Sequence, residues 1–458
     1  MNFSGKKVAI LGGARSGIAC ANLLESLGAK VFLSEIRQKD EIKELKKLNK
    51  NIQTEFGEHS KEILNSDLVI PSPGVPLNLP VLEETKKRNI PIFSELEIAY
   101  RLINPKQVIA ITGTNGKSTT VTLLGEIFRQ AKEKKALTSK VIVAGNIGYP
   151  LSAAVKKINS DTVLILEVSS YQLELIEKFR PHIAVILNLT PDHLERHQSL
   201  ENYAKIKARI YENQNKDDFC IFNADDHYCK ELAKDCPSQS IFFSRQKKLT
   251  EGVFFNGKKI VVNLSTYLPR RQAGQPINLS PALKIPGPHN LENVLVAVAV
   301  AVIAKIPEAI ILRTINSFPG LEHRLEFVRE VKGIKFINDS KATNPDSVLV
   351  ALKSFNKKLI LIMGGRDKGL PYTPLIPLIK EKVKALLLIG EAEEKIAYEL
   401  QGTTQIIPCG TLKKAVKEAY RITRKGEIVL LSPACASFDQ FRDFEQRGKI
   451  FKNLVKKL

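Results

Sequence analysis

The chain has 458 residues, of which 43% are hydrophobic and 26% are charged, and this composition is typical of folded domains and unlike that of disordered chains. No run approaches the roughly 20 apolar residues that a membrane span needs. The six cysteines form no C-x-x-C pair, so neither a zinc ribbon nor a disulfide framework is suggested. The net charge of +21 comes from scattered basic residues, so we interpret it as a solvated surface and not as a nucleic-acid site. At roughly 100 to 200 residues per domain, about three domains are expected.

The first segment alternates short apolar runs with helical patterns, which is typical of parallel sheets with crossover helices. Strands are predicted at 7–11, 30–34 and 68–70, with a helix over 16–27 and a charged helix after the second strand. The first apolar run enters a glycine turn, so it is interpreted as a buried strand and not as a signal peptide. We therefore expect a cytoplasmic protein, with this first domain spanning residues 1–95.

The second segment, residues 96–320, has the pattern of a central, mostly parallel sheet of the P-loop ATPase type. Strands are predicted at 107–112, 141–144, 162–167 and 183–188, and helices at 118–131, 199–212 and 290–305. Between 236 and 286 the pattern changes to short β-like pieces with Pro and Gly, which suggests a small antiparallel flap or insertion.

The third segment, residues 321–458, repeats the alternation of apolar strands and helices. Strands are predicted near 336 and at 358–363, 385–389 and 428–431, with a helix from 440 onward. The expected fold class is therefore α/β, with Rossmann-like first and third domains on either side of the central domain in sequence.

Two glycine turns join a predicted strand to a predicted helix. The turn G-G-A-R-S-G at 12–17 resembles a dinucleotide fingerprint, although Ala14 stands at its third position and an ordinary βα turn is the alternative. The turn G-T-N-G-K-S at 113–118 is the stronger indication, because its N–H groups can surround a phosphate while Lys117 neutralises the terminal phosphates and Ser118 reaches Mg²⁺. It is shorter than a full phosphate loop, since Ile111 stands where the first glycine would be.

Acids and histidines follow two other strands of the central segment. Glu167 ends an apolar strand, at the edge where α/β sheets bind ligands and where Mg²⁺ needs an oxygen ligand. His193 and His197 are four residues apart, so zinc is an alternative; without a third ligand or an H-E-x-x-H frame, contact with an anionic substrate is favoured. In the first segment, Glu35 could accept from a ribose or base and Arg37 could pair with phosphate.

The third segment has three polar turns that each follow a predicted strand. Their sequences are D-S-K-A-T-N at 339–344, G-G-R-D-K-G at 364–369 and S-P-A-C-A-S at 432–437. Each alone could be an ordinary turn. Because the carboxyl ends of parallel strands meet at one edge of a sheet, three of them together indicate a binding site.

These motifs together resemble those of the Mur ligase family, and they occur in the family's order from about residue 8 to the C-terminus. The resemblance also covers E-V-S-S at 167–170, T-P-D-H at 190–193, His289-Asn290 and His323-Arg324. It implies a monomeric, cytoplasmic ligase of three domains, which bind the UDP-linked substrate, ATP and an amino acid in that order. The implied reaction is ATP- and Mg²⁺-dependent addition of D-glutamate to UDP-N-acetylmuramoyl-L-alanine through an acyl phosphate, in peptidoglycan precursor synthesis, with no nucleic-acid partner and no membrane insertion.

The resemblance also assigns roles to individual residues. The catalytic residues would be Lys117, Glu167, His193 and Lys207. ATP would be bound by Gly113, Thr114, Asn115, Gly116, Lys117, Ser118, Thr119, Asn290, Asn293, Arg324 and Asp339. The UDP-linked substrate would be bound by Ser16, Glu35, Arg37, Gly74, Asn146, Gln172 and His193, and D-glutamate by Lys341, Thr343, Lys368, Ser437 and Phe444. Two Mg²⁺ ions would be held by Ser118, Glu167, His193 and Lys207, the last as a carbamylated lysine.

Three other functions are alternatives at this point. A sister ligase, either another Mur enzyme or a folylpolyglutamate synthase, would share the ATP chemistry but use a different acceptor. A nicotinamide-dependent oxidoreductase would use the turn at 12–17 but leaves the turn at 113–118 unexplained. A basic P-loop protein acting on nucleic acid would show ATPase activity stimulated by DNA or RNA, with a steep salt dependence.

Overall fold

A computed structural model gives the structure of residues 2–264, 277–282 and 287–458. The described strands form three sheets of four, nine and six strands, and each sheet lies within one of the three predicted segments. The predicted three-domain α/β class is confirmed. The chain divides into two compact units, the first comprising Met1–Pro281 with Leu291–Ile315 and the second Ala282–Asn290 with Asn316–Leu458. The domain boundaries at 95 and 320 stay predictions.

The first sheet is entirely parallel, in the order β3-β2-β1-β4. Its strands are β1 (Lys7–Leu11), β2 (Lys30–Glu35), β3 (Gln53–Phe56) and β4 (Leu68–Pro71), and its helices are α1 (Arg15–Glu25), α2 (Pro80–Lys87) and α3 (Glu95–Tyr100). Along β1, Val8 and Ile10 pack into one core cluster while Ala9 and Leu11 pack into another. Both faces of β1 are therefore covered, and the glycine turn that follows it starts from a rigid strand.

The charged helix predicted after β2 was wrong. The segment instead forms two 3-10 helical turns, Lys39–Glu41 and Lys43–Lys47, before β3, and a third turn, Lys61–Asn65, follows β3. Its apolar residues Ile42, Leu45 and Leu48 are spaced by three, and three residues per turn is the period of a 3-10 helix. Ile42 is buried, while Leu45 and Leu48 pack against the first core cluster.

The second sheet has the order β13-β12-β11-β10-β9-β8-β5-β7-β6. Its strands are β5 (Gln107–Thr112), β6 (Lys140–Gly145), β7 (Thr162–Glu167), β8 (Ile183–Ile186), β9 (Phe219–Asn223), β10 (Gln239–Ser244), β11 (Gly252–Phe255), β12 (Ile260–Asn263) and β13 (Ile277–Leu279). Its helices are α4 (Lys117–Glu133), α5 (Leu151–Ala154), α6 (Ser170–Leu173), α7 (Leu194–His197), α8 (Leu200–Ala208), α9 (His227–Lys234), α10 (Pro288–Ile303) and α11 (Glu308–Ser317). Because β5 lies between β7 and β8, its carboxyl end is flanked by the carboxyl ends of both neighbours.

The prediction of a small antiparallel flap or insertion over 236–286 was wrong in part. Strand β10 pairs in parallel with both β9 and β11, so it continues the main sheet. Antiparallel pairing begins only between β11 and β12 and continues to β13. Local periodicity predicts a strand but not its pairing partner, which explains the error. The parts of this prediction at 265–276 and 283–286 lie outside the described residues.

The third sheet has the order β14-β15-β19-β16-β17-β18, and only β14 is antiparallel to its neighbour. Its strands are β14 (Glu326–Val331), β15 (Ile334–Asn338), β16 (Leu359–Gly364), β17 (Val383–Ile389), β18 (Gln405–Gly410) and β19 (Ile428–Leu431). Its helices are α12 (Pro345–Lys353), α13 (Ile376–Lys382), α14 (Glu393–Glu399), α15 (Leu412–Ile422) and α16 (Phe444–Lys456). Strand β19 inserts between β15 and β16, which brings the three polar turns side by side.

The helix predicted from 440 begins at Phe444, where the Asp443 side chain accepts a hydrogen bond from the Gln446 N–H and caps the helix. Within the part of the chain that the structure describes, no helix combines the length and apolar character needed to cross a bilayer.

Candidate active site

The turn between β5 and α4 has a backbone path that requires glycine. Gly113 and Gly116 have φ of 143° and 87°, in the left-handed region. A Cβ on Gly116 would also lie 2.2 Å from Oδ1 of Asn293, which accepts a hydrogen bond from the Thr120 hydroxyl at 3.2 Å. The Thr120 N–H bonds to the Gly116 carbonyl at 3.0 Å, so the N–H of Ser118 points out of the N-terminal end of α4. The helix dipole favours an anion at this position.

Asn188, which follows β8, sets the shape of the same turn. The Asn188 carbonyl accepts from the Thr114 N–H at 2.9 Å, and its side-chain Oδ1 accepts from the Asn115 N–H at 2.8 Å. The Asn188 side-chain amide donates in return to the Asn115 carbonyl at 3.1 Å. These two N–H groups are therefore engaged by the protein, and the ATP contacts predicted for Thr114 and Asn115 stay predictions.

Two lysine amines meet at the end of β5. Lys117 donates to the carbonyls of Gly113 and Thr114 at 2.7 and 2.8 Å, and Lys207 from α8 donates to the Gly113 carbonyl at 3.0 Å and to the Thr112 hydroxyl at 3.2 Å. The Lys207 side chain is 1% exposed. Burial first, and then the neighbouring charge of Lys117, lowers the pKa of Lys207 well below its ordinary value. Lys207 is thus a buried amine that gives up its proton more readily than an exposed lysine does.

Glu167 ends β7 and is buried beside this turn. One carboxylate oxygen, Oε1, accepts from the Asn146 side-chain amide at 3.0 Å, whereas Oε2 is buried and has no hydrogen-bond partner among the described residues. An unpartnered buried carboxylate oxygen is costly unless a cation satisfies it. Across the described ranges, no three His, Cys, Asp or Glu side chains form a metal-binding group. A hard ion that keeps much of its water, such as Mg²⁺, fits a single carboxylate aided by a hydroxyl.

The two histidines that follow β8 have different surroundings. His193 has φ of 53°, its side chain is half exposed, and its ring lies 5.0 Å from that of Tyr171. His197 is buried, with Nε2 3.0 Å from the Ser170 hydroxyl and Nδ1 3.5 Å from a carboxylate oxygen of Glu174. Burial lowers the pKa of His197. Because both ring nitrogens of His197 face protein groups, the structure does not support the zinc alternative.

The first glycine turn is built around a buried carboxylate. Glu35, at the end of β2, accepts from the Gly13 N–H at 2.7 Å and from the Arg37 guanidinium at 2.8 and 3.1 Å. Burial alone would raise the pKa of Glu35, but hydrogen bonds from Arg37 and Gly13 lower it to about 2. A Cβ on Gly17 would lie 1.9 Å from the Gly12 carbonyl, so α1 approaches the turn closely. Glu35 therefore supports the turn, and its contact with the UDP-linked substrate stays a prediction.

The other residues predicted to bind this substrate lie in the same unit. Ser16 is half-buried at the start of α1, while Gly74 and Asn146 are exposed in the loops after β4 and β6. Gln172 is buried, and its side-chain oxygen accepts from the N–H and hydroxyl of Ser169 in a capping box at the start of α6.

The second unit brings the three polar turns together, as expected. The Ser432 hydroxyl donates to Asp339 at 2.8 Å, and the Gly364 N–H donates to the Pro433 carbonyl at 2.8 Å. The pKa of Asp339 is raised to about 7, because the effect of burial outweighs the opposite effects of the Ser432 hydrogen bond and the charge of Arg324. The predicted D-glutamate residues lie around this edge. Lys341 and Lys368 are exposed, Thr343 and Phe444 are half-buried, and Ser437 is buried; Asn290, predicted to bind adenine, is also buried in this unit.

Sequence reasoning missed Arg447, whose side chain connects two of the polar turns at this edge of the third sheet. Arg447 lies in α16, is fully buried, and donates to the hydroxyl and carbonyl of Ser340 at 3.0 and 2.9 Å and to the Cys435 carbonyl at 3.2 Å. Desolvation lowers its pKa to about 10. Its contacts therefore tie the turn after β15 to the turn after β19. Apart from its place in an amphipathic helix, nothing in the sequence distinguishes it from the other 68 basic residues, since Lys and Arg total 69.

A turn with an outward-facing helix N-terminus and the amine of Lys117 suits the phosphates of a nucleoside triphosphate. The comparisons with known proteins place the chain in the class of ATP-dependent ligases. The chain belongs to the Mur ligase family: residues 6–94 match the MurD-like N-terminal domain, 111–301 the Mur ligase middle domain and 323–435 the glutamate ligase domain.

Curated relatives match this chain over its full length. A UDP-N-acetylmuramoylalanine–D-glutamate ligase of Koribacter versatilis is 44% identical over 461 residues, covering 100% of this chain and 99% of the relative. One of the same name from Clostridioides difficile is 40% identical over 464 residues, covering 100% of both chains. The crystal structure of the UDP-N-acetylmuramate-alanine ligase MurC of Thermotoga maritima has a TM-score of 0.60 at 20% identity, covering 99% of both chains, which shows a shared fold.

Proposed function

We propose that the protein catalyses the ATP-dependent addition of D-glutamate to UDP-N-acetylmuramoyl-L-alanine, as a cytoplasmic monomer, in peptidoglycan precursor synthesis. The observation that carries the ATP chemistry is the end of β5, where the amine of Lys117 contacts the Gly113 carbonyl beside a helix N-terminus. The choice of substrates is supported by the full-length relatives that bear this activity in their names.

The proposed reaction has two steps. The alanyl carboxylate attacks the γ-phosphorus of ATP, the bond to the β–γ bridging oxygen breaks, and ADP leaves. The amine of D-glutamate then attacks the acyl carbon, the carbon–oxygen bond to phosphate breaks, and phosphate leaves with the electron pair while the amine proton passes to water. Since the first step brings two anions together, catalysis rests on positioning and positive charge, which Lys117 and the N-terminus of α4 supply.

Mg²⁺ fits the residues at the end of β7. Glu167 and Ser118 would hold one ion, and the unpartnered Oε2 of Glu167 supports this assignment. His193 and a carbamylated Lys207 would hold a second. When bound, the ions neutralise charge on the phosphate groups.

The burial of Lys207 supports its carbamylation. Carbon dioxide reacts only with a neutral amine, forming a carbon–nitrogen bond and releasing a proton, and desolvation favours the neutral form of Lys207. The resulting anion would lie beside the charge of Lys117, which favours it.

We expect ¹³C-bicarbonate to give a carbamate carbon signal in the NMR spectrum of the wild type that is absent from Lys207→Ala. Short-chain carboxylic acids should partly restore the activity of this variant, because they replace the anionic ligand. Wild-type activity in Lys207→Ala without added acid would contradict the modification.

The remaining assignments are proposed in each unit by itself. In the first unit, Ser16, Glu35, Arg37, Gly74, Asn146, Gln172 and His193 bind the UDP-linked substrate, and Asn293 contributes to the ATP site. In the second unit, Asn290, Arg324 and Asp339 bind ATP, and Lys341, Thr343, Lys368, Ser437 and Phe444 bind D-glutamate.

ADP release by the purified protein tests the proposed function. With ATP, Mg²⁺ and UDP-N-acetylmuramoyl-L-alanine present, we expect release to require D-glutamate and not L-glutamate, L-alanine or a diamino acid. Release that requires a diamino acid, or a folate in place of the UDP-linked substrate, would identify a sister ligase instead.

A further inference from the structure

Arg196, in α7, uses its guanidinium to contact two domains at once. Its Nε donates to both carboxylate oxygens of Glu174 at 3.0 and 3.1 Å, and Nη2 also donates to Glu174. Its Nη1 donates to the backbone carbonyls of Pro73 and Val75 at 3.2 and 2.9 Å. Glu174 belongs to the central segment, whereas Pro73 and Val75 belong to the loop after β4 of the first sheet.

The guanidinium is fixed on its other faces as well. It lies over the ring of Tyr171, 4.4 Å from the ring centroid, and the Arg196 side chain is only 16% exposed. A planar guanidinium with a bidentate carboxylate and a stacked ring has one preferred orientation, which directs Nη1 at the two carbonyls. The contact between Arg196 and the loop is therefore fixed by several neighbouring groups, unlike a contact between mobile surface side chains.

The loop that Arg196 contacts contains Gly74, a predicted substrate residue. On the first-domain side, the Ser72 hydroxyl and N–H bond to the Gly12 and Leu11 carbonyls at 3.0 and 2.8 Å. On the other side, Arg196 binds the carbonyl before Gly74 and the carbonyl after it. Gly74 itself is exposed, and a Cβ added to it would meet no atom within 4 Å. The backbone on either side of Gly74 is thus held by hydrogen bonds, while the space next to the Gly74 Cα is unfilled.

Arg196 is also joined to the turn that carries His193. The Arg196 N–H donates to the His193 carbonyl at 3.1 Å. One residue therefore connects two predicted contacts of the UDP-linked substrate, Gly74 in the first domain and His193 in the central domain.

We propose that Arg196 is a positioning residue for the UDP-linked substrate: its guanidinium, oriented by Glu174 and Tyr171, sets the position of Gly74 relative to His193. This inference rests on the proposed function. The Arg196 guanidinium contacts Glu174, Tyr171 and the loop around Gly74, so we expect its effect to fall on binding of the UDP-linked substrate.

Arg196→Lys is the variant that tests this role. A lysine keeps the charge but is a point donor, so it cannot hold the carboxylate of Glu174 and both loop carbonyls at once. Arg101→Lys is the matched control: Arg101 is 13% exposed, pairs with Glu97 and Glu177, and lies over the Phe93 ring at 4.2 Å, and none of these three is a predicted site residue.

Calorimetric titration with UDP-N-acetylmuramoyl-L-alanine and, separately, with a non-hydrolysable ATP analogue gives the readout. We expect Arg196→Lys to raise the Kd of the UDP-linked substrate by about tenfold or more, since charge-assisted hydrogen bonds to the loop are lost, while the Kd of the ATP analogue stays within about twofold. In steady-state assays KM for the UDP-linked substrate should rise and kcat at saturation should change little. Arg101→Lys should lower Tm without changing either Kd.

Two other outcomes have distinct meanings. If the wild type binds the UDP-linked substrate and Arg196→Lys binds it equally well, or loses kcat alone, the positioning role is overturned and the proposed function stands. If the wild type binds the ATP analogue but not the UDP-linked substrate, the proposed function fails and the inference fails with it.

Discussion

The two glycine turns of the first unit have the same order of elements but opposite electrostatic surroundings. At 12–17 the Gly13 N–H is already donated to the carboxylate of Glu35, at 2.7 Å. At 113–118 the Gly113 carbonyl receives the amines of Lys117 and Lys207. Both turns therefore share a glycine-dependent backbone path, whereas the charged side chains beside them, Glu35 at the first and Lys117 at the second, determine which charge each turn accepts.

The difference also concerns what each turn can bind directly. A phosphate at the first turn would compete with a carboxylate for the Gly13 N–H, so this turn is suited to neutral or cationic groups, or to an anion paired with Arg37. A phosphate at the second turn meets Lys117 and an outward-facing helix N-terminus. The turn at 12–17 thus resembles a dinucleotide fingerprint in its glycine spacing, but its Gly13 N–H already binds a carboxylate.

The largest effect is expected from removing the cation of the second turn. Lys117→Ala should lower ligation by about 10²–10³-fold, as expected for the loss of one preorganised charged donor, with little change in Tm. Phosphate release and calorimetric melting measure the two quantities. Lys132→Ala, an exposed lysine in the last turn of the same helix, is the control and should retain activity. Activity of Lys117→Ala within tenfold of wild type would remove the phosphate role.

The second prediction concerns the carboxylate of the first turn. The pKa of Glu35 is lowered in the folded state from 4.5 to about 2, so its stabilisation is fully present above pH 4.5 and is lost as the pH falls from 4.5 towards 2. Glu35→Gln should therefore reduce the free energy of unfolding by up to about 3 kcal/mol at neutral pH and by progressively less below pH 4.5. Urea unfolding at several pH values tests this. A difference that does not depend on pH would mean that the Glu35 carboxylate is not ionically stabilised.

The smallest effect is expected from the close approach of α1 to the first turn. Gly17→Ala places a methyl group 1.9 Å from the Gly12 carbonyl and 2.7 Å from the Ser72 hydroxyl, so α1 must shift. Overpacking of this kind costs about 1–3 kcal/mol. Urea unfolding of Gly74→Ala, where an added methyl group meets nothing within 4 Å, should show no loss of stability. Equal free energies of unfolding for the two variants would show that α1 can move away from the first turn at little cost.

The sequence was sufficient for many of the buried strands, although β9, which is also buried, was not predicted. Strands β1, β5, β7 and β19 have the predicted bounds, because continuous apolar runs between turns are typical of strands covered on both faces. Strands β3, β14 and β18 were missed because they are half-exposed and their sequences mix polar and apolar residues without a clear period. Their place in a sheet is decided by pairing with neighbours that are distant in sequence.

The site was predictable to a different extent. Lys117 and Glu167 were predicted from motifs at strand ends, and the structure places both near the end of β5, while their roles stay predictions. Lys207 followed only from the family resemblance, since its importance comes from burial beneath the β5 turn, which no local pattern shows. Asn188 and Arg447 act through contacts with backbone groups far away in the sequence, and such partners become visible only in three dimensions.

The dependence of the second turn on Asn188 has a consequence for the growing chain. Asn115 and Asn188 are 73 residues apart, so at about 5 to 20 residues per second the ribosome adds Asn188 roughly 4 to 15 s after the turn itself. Asn293, which bonds to Thr120, is 173 residues further along the chain and is added roughly 9 to 35 s after Thr120. During synthesis the polypeptide thus carries the complete glycine motif for several seconds before it carries the groups that give the motif its shape.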